Sequence, residues 1–208
     1  MRKIRPFVIG IAGGTGSGKS FLAARLAARL HGRCAVLSHD WYYRDCPPAS
    51  AAVRRRRNFD RPAALDTALL CAHLDALCSG RPVPTPRYSY RTHRRHARPV
   101  RLAPAPVLVV EGLFVLAVPA LRRRCDLTVF VDAPADLRLA RRLARTDVER
   151  GLGIAEELRL YLEFARSGHA RWVQPSRRFA SLVWAQSGLR DAPTSIVNQV
   201  LQHLPHHA

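Results

Sequence analysis

The chain has 208 residues, 48% of them hydrophobic and 24% charged, a globular composition sized for one compact domain and unlike that of a disordered chain. No apolar run approaches the roughly 20 residues of a membrane span, and residues 1–6 lack the apolar core and small-residue cleavage site of a secretory signal. A cytoplasmic location without a membrane partner is therefore expected. The formal net charge of +19 points to anionic ligands. With two lysines, Lys3 and Lys19, in a Lys+Arg total of 34, the remaining 32 are arginine. Together with abundant Ala, Pro and Leu this matches a GC-rich coding bias, so nucleic-acid binding is not expected as the main function. The five cysteines are odd in number and form no CxxC pair. That speaks against a disulfide framework or a zinc site and for reduced, buried thiols.

Phe7-Val8-Ile9-Gly10-Ile11-Ala12 is a short apolar run ending in glycines and reads as a buried parallel strand. Residues 21–30 place Leu and Ala at helical spacing, and 34–38 form a second short strand. Residues 44–61, polar, Arg-rich and broken by Pro, read as a loop. Between 63 and 77, Leu65, Leu69, Leu70, Leu74 and Leu77 share a helical face, and Gly80 stops the helix. The Pro-rich, basic stretch 81–106 reads as an irregular excursion with hairpin character, not as a linker. Buried strands are expected at 107–110 and 127–131. A long Arg-rich helix runs from Pro134 to about Glu149, a further helix covers 155–166, a last strand 181–185 and a final helix 194–204. Strands alternating with helices predict an α/β fold with a mostly parallel sheet and helices on both faces.

Gly13-Gly14-Thr15-Gly16-Ser17-Gly18-Lys19-Ser20 fits GxxxxGK[ST] and sits between the first strand and the first helix, the context a P-loop demands. Glycines let backbone N–H groups turn inward toward phosphate oxygens, and the helix N-terminus adds partial positive charge. Gly13, Gly14, Thr15, Gly16, Ser17, Gly18, Lys19 and Ser20 are thus the candidate nucleotide-binding residues. Lys19 would reach the β- and γ-phosphates and Ser20 would ligate Mg²⁺. A compact ammonium fits inside such a loop where a planar guanidinium does not, and one of the two lysines stands here. A P-loop by itself admits a kinase, a GTPase, a motor or an ATPase. The NKxD sequence with which GTPases read their base is absent.

After the second strand comes Ser38-His39-Asp40-Trp41-Tyr42-Tyr43-Arg44. An Asp at the carboxyl end of a strand beside the P-loop strand lies on the ligand-binding edge of such sheets. There it can accept the proton of an attacking hydroxyl or hold Mg²⁺ through water; position alone reads equally as a helix cap or a loop residue. At this point the chain resembles the uridine kinase (uridine/cytidine kinase) family, related to phosphoribulokinase. His39-Asp40-Trp41-Tyr42-Tyr43-Arg44 is similar to the family's QDSFYR, and Asn58-Phe59-Asp60-Arg61-Pro62 to its NFDHP. Pro86-Arg87-Tyr88-Ser89-Tyr90-Arg91-Thr92-His93 is similar to PxYDFxxH, and Val109-Val110-Glu111-Gly112 to a strand ending in EG. Val131-Asp132 with Asp136-Leu137-Arg138 through Glu149-Arg150-Gly151 resembles the lid. The resemblance covers about residues 7–185.

The resemblance implies a role for each matched residue. Asp40 would be the general base toward a ribose 5′-hydroxyl. Tyr43, Phe59 and Asp60 would line the nucleoside pocket, and Tyr88 and His93 would contact the base. Glu111 would bind Mg²⁺ through water together with Ser20. Packing is the plainer reading of Phe59 and Tyr88, and a surface position that of His93. Arg138, Arg141, Arg142 and Arg145 are spaced to form one stripe on a helix, ordinarily a solvated face. Closed over a triphosphate, such a stripe supplies charge to the transferring group and excludes water. The resemblance favours Arg142, Arg145 and Arg150 as phosphate contacts; 122–124 and 54–57 read as solvated arginines.

The family's ERGR is Glu149-Arg150-Gly151-Leu152 here and its QY is Leu160-Tyr161, so two residues that meet the nucleoside in the family are leucines. The family's YD is Tyr88-Ser89 and its AD is Ala180-Ser181. The phosphate machinery is intact and the nucleoside-reading shell altered. The expectation is a single P-loop kinase domain over 1–208, with a lid at about 134–166 and an acceptor-binding excursion at about 81–106. It would use ATP and Mg²⁺ to phosphorylate a small-molecule hydroxyl, foremost the 5′-hydroxyl of uridine or cytidine. Ribulose phosphate, pantothenate or another sugar or vitamin alcohol are the alternative acceptors. A nucleic-acid-binding ATPase is the rival from another class, and the absence of helicase-type motifs argues against it. The resemblance also implies a homo-oligomer.

Overall fold

Val107-Leu108-Val109-Val110 has no polar side chain to present to water, and all four residues are fully buried. They form β7 (Val107–Glu111), flanked by β1 (Phe7–Gly13) and β2 (Cys34–Ser38). The computed structural model describes residues 5–45, 53, 57–188 and 193–205, the side chains of 147–150 excepted. Among the described residues five parallel strands make one sheet in the order β2-β7-β1-β8-β9, with β8 at Leu127–Asp132 and β9 at Leu182–Ala185.

Burial on both faces divides each strand by its period of two. Ile9 and Ile11 pack on Leu22 and Leu26 of α1 (Lys19–Arg29) and on Val197 and Val200 of α5 (Thr194–Gln202). Val8 and Ala12 face the other way, toward Leu70, Leu74 and Leu77 of α2 (Thr67–Cys78) and toward Phe114. Helix α2 begins four residues later than the leucine spacing predicts. The Asp66 carboxylate accepts the Leu69 N–H at 3.3 Å and caps the helix at that point. Leu65 instead lies in an isolated bridge opposite Tyr43.

The excursion folds as two small antiparallel ladders. β3 (Val83–Thr85) pairs with β6 (Val100–Leu102), and β4 (Tyr88–Ser89) with β5 (Arg94–Arg95). His93, just before β5, has a left-handed φ of 52°. The Arg-rich helix α3 spans Ala135–Arg150 and α4 spans Ile154–Leu160. The helical path then continues past the expected 166, through π-helical turns at Tyr161–Ala165 and His169–Val173 and a 3-10 stretch at Gln174–Phe179. At Gly168 the arm packs closely on the acceptor-side loop: an added Cβ would sit 2.3 Å from the Asp60 backbone oxygen.

Two arginines expected to be solvated, Arg122 and Arg124, have partners instead. Arg122 donates to the Leu116 carbonyl at 2.6 Å and covers the Phe179 ring, and Arg124 forms a two-pronged pair with Asp75 at 2.8 Å. Among the described cysteines, Cys34, Cys71, Cys78 and Cys125 are free thiols; Cys71 is buried and the other three are half-buried. Cys46, residues 54–56 and the Arg150 side chain lie outside the described residues.

Candidate active site

Strand register brings the site together. Ile11 of β1 and Ser38 of β2 both pair with Glu111, the last residue of β7. The P-loop after β1, Asp40 two residues after β2, and Glu111 therefore emerge side by side at the carboxyl edge of the sheet.

In the P-loop, Gly16 (φ 74°) and Gly18 (φ 98°) adopt left-handed backbone, and a Cβ on Gly16 would meet the Arg138 carbonyl oxygen at 2.2 Å. Lys19 is buried and its Nζ donates to the Gly14 carbonyl at 3.0 Å. Burial lowers the Lys19 ammonium pKa, opposed by the Glu111 and Asp40 carboxylates. Ser20 Oγ donates to Glu111 Oε2 at 3.2 Å. Burial and the nearby Asp40 raise the Glu111 carboxyl, with Lys19 acting against them. A hydroxyl and a buried carboxylate in contact are hard oxygen donors that suit Mg²⁺, an ion usually held by one or two carboxylates plus substrate phosphates.

The six acceptor-side residues named from sequence, Asp40, Tyr43, Phe59, Asp60, Tyr88 and His93, line one cavity of about 480 Å³. Thr15, Gly16, Lys19, Ser20, Glu111, Arg142 and Arg145 line it as well. The Phe59 and His93 rings stack at 4.7 Å, Tyr43 meets Phe59 edge-on at 5.6 Å, and Tyr43 lies 5.1 Å from Tyr88. His93 is thus buried within the cavity wall, not a surface residue. Asp40 Oδ2 accepts from the Tyr90 hydroxyl at 2.8 Å, whereas Oδ1 is buried with no hydrogen-bond partner among the described residues. Leu113, Leu160 and Phe164 form an apolar wall, and Arg57, expected to be solvated, lines the cavity beside Phe59. Leu152 is buried but is not part of this wall.

A second cavity, of about 1150 Å³, lies on the other side of the P-loop. Gly16, Lys19, Ser20 and Arg145 line both. Phe21, Arg25, Trp184, Gln186 and Asn198 are among its other walls.

The arginine stripe is not one solvated face. Arg142 is buried, ion-paired through Nε to the fully buried Glu157, and 3.4 Å from Thr15 Oγ. Arg138 is buried too: Nε donates to the Ala133 carbonyl at 3.0 Å, and its guanidinium lies where a Cβ on Gly14 would fall. Arg141 donates to Gln186 and to the Gly188 carbonyl, both at 2.7 Å, and Gln186 in turn donates to the Ser17 carbonyl at 2.7 Å. Arg145 is exposed at the mouth of both cavities. Sequence reasoning assigned no individual role to Tyr90, Arg138, Glu157 or Gln186. Tyr90 carried a signal as part of the Pro86–His93 match and Arg138 as part of the stripe.

A phosphate loop between two cavities, one holding a carboxylate with an unpartnered oxygen, is the layout of a P-loop phosphotransferase. The chain belongs to the Phosphoribulokinase / Uridine kinase family, whose model matches residues 8–191. It is 42% identical over 184 residues to the uridine kinase of Chloroflexus aurantiacus, covering 88% of each chain. It is also 42% identical to that of Deinococcus deserti, covering 90% of this chain and 91% of the relative. In fold it is similar to phosphoribulokinase from Rhodobacter spheroides (TM-score 0.64, 13% identity, 90% and 72% of the two chains). It is likewise similar to D-glycerate 3-kinase from Cryptococcus neoformans (TM-score 0.60, 16% identity, 83% and 80%). The chain is accordingly an ATP-dependent phosphotransferase with an alcohol acceptor. No helix among the described residues is long and apolar enough to cross a membrane.

Proposed function

We propose that the chain transfers the γ-phosphoryl group of ATP to the 5′-hydroxyl of uridine or cytidine. The observation that carries this reading is the shared cavity: Asp40, the P-loop lysine and the aromatic group Tyr43, Phe59, Tyr88 and His93 border one space of about 480 Å³. The uridine kinases at 42% identity support the same acceptor class.

In this reading the nucleotide donor enters from the larger cavity and the acceptor from the smaller one. Residues 13–20 cradle the phosphates, with Lys19 on the β- and γ-phosphates. Asp60 holds ribose hydroxyls, and the aromatic rings hold the base. Asp40 Oδ1 takes the proton as the acceptor oxygen bonds to phosphorus. The bond from phosphorus to the β,γ-bridging oxygen breaks, ADP leaves, and the proton passes later to solvent. Lys19, Arg142 and Arg145 balance the negative charge that spreads over the transferring group. Arg150, whose side chain is not described, belongs to the same proposed set. Ser20 and Glu111 would hold Mg²⁺, which supplies charge neutralisation and orientation of the phosphates when bound.

The apolar wall of Leu113, Leu160 and Phe164 favours a second reading, a less polar alcohol as acceptor. A panel of uridine, cytidine, adenosine, guanosine, ribulose 5-phosphate and pantothenate with ATP and Mg²⁺ tests the pyrimidine assignment. The two pyrimidine nucleosides should show the highest kcat/KM. A higher value for ribulose 5-phosphate or pantothenate would reverse the assignment.

A further inference from the structure

If Asp40 is the base, its two carboxylate oxygens have different fates. Asp40 lines the acceptor cavity; its Oδ2 accepts the Tyr90 hydroxyl at 2.8 Å, while Oδ1 is buried and without a partner among the described residues. The last torsion of an aspartate is broad and roughly two-fold, so an unrestrained carboxylate exchanges its oxygens. A single fixed donor breaks that symmetry. Tyr90 is such a donor because its ring is braced edge-on by Tyr43 at 6.4 Å and by Tyr88 at 5.7 Å. It follows β4 directly, in a turn where the Thr92 N–H donates to Ser89 Oγ at 3.2 Å. Burial and the adjacent Asp40 carboxylate hold the phenol well above the ordinary tyrosine range, so it stays a donor through neutral pH.

We propose that Tyr90 is a positioning residue for phosphoryl transfer: its hydroxyl holds the Asp40 carboxylate in one orientation through Oδ2 and leaves Oδ1 as the oxygen without a partner among the described residues. The inference rests on the reading of Asp40 as general base. Base catalysis needs the proton acceptor within hydrogen-bond reach in one geometry, and the phenol supplies that geometry without touching the reacting atoms.

The test uses the full chain with ATP, Mg²⁺ and whichever pyrimidine nucleoside it phosphorylates faster. Tyr90→Phe removes one oxygen and keeps every ring contact; Asp40→Asn and the double variant complete a cycle. Tyr90→Phe should lower kcat about tenfold, with both KM values within about twofold of wild type and an unchanged melting midpoint. Asp40→Asn should lower kcat by about 10³-fold. In the Asp40→Asn background, Tyr90→Phe should change kcat less than about twofold, because its effect runs through the carboxylate. Wild-type kcat in Tyr90→Phe, with Asp40→Asn inactive, overturns the positioning role alone. So does a rise in KM without loss of kcat, or an equal loss in both backgrounds. Normal turnover in Asp40→Asn overturns instead the reading of Asp40 on which the inference stands.

Discussion

Replacing Glu157 by alanine strands a buried cation. Arg142 and Glu157 are 5% and 0% exposed and are bonded to each other, while the contact from Arg142 to Thr15 Oγ is long, at 3.4 Å, and neutral. Breaking a buried ion pair from one side costs about 3–5 kcal/mol, because the remaining charge stays desolvated. An unfolding entropy of about 2.1 cal/mol/K per residue over 208 residues makes each kcal/mol worth about 2 °C. The melting midpoint of Glu157→Ala should therefore fall by about 7–11 °C. The paired variant Arg142→Met with Glu157→Leu removes both charges and keeps most of the volume, so its midpoint should return to within a few degrees of wild type. Phosphoryl transfer should nonetheless stay down by about 10²-fold, the worth of one charged contact to the transferring group. Melting by circular dichroism and a coupled ADP-release assay read the two quantities separately. An unchanged midpoint in Glu157→Ala refutes the energetic argument; wild-type turnover in the paired variant refutes the role proposed for Arg142.

Two further outcomes follow from the same geometry. Gly16→Ala forces a Cβ to within 2.2 Å of the Arg138 carbonyl at a φ of 74°, so calorimetric ATP affinity should drop by about tenfold or more. Gly32→Ala, at a similar φ of 81° with nothing within 4 Å of the added Cβ, should leave that affinity unchanged; equal losses in both would point to chain strain and not to the P-loop. Burial pushes the His39 imidazole down from its ordinary 6.5 to about 4, so the folded state keeps it neutral while the unfolded chain takes up a proton as pH falls below 6.5. The stability that His39 preserves above pH 6.5 is lost between pH 6.5 and about 4, amounting to about 2 kcal/mol from pH 7 to pH 5. Urea unfolding of His39→Gln should show a pH dependence smaller than wild type by about that amount; parallel curves would refute it.

Much of the fold was legible because its signals are local. The apolar runs at 7–12 and 107–110 are strands buried on both faces, and such strands need no partner to be recognised. Element ends were less legible. The start of α2 depends on the Asp66 cap and on the bridge that takes Leu65 out of the helix, and the length of the arm after α4 depends on Gly168 packing against Asp60. On the site, the acceptor residues carried over by resemblance, Asp40, Tyr43, Phe59, Asp60, Tyr88 and His93, share one cavity. The arginine stripe was harder, since helical spacing says which residues share a face and not what that face meets.

The order of residues alone determined the phosphate loop, because turn, donors and helix start are written within eight consecutive positions. Only the three-dimensional arrangement decided what surrounds it. Ser20 reaches Glu111 across 91 positions, Thr15 meets Arg142 across 127, Ser17 meets Gln186 across 169, and Asp40 finds Tyr90 across 50. Contacts at such separation depend on sheet register and on which helix face is covered. Both are properties of the packed molecule, where a buried charge must find its partner or leave the interior.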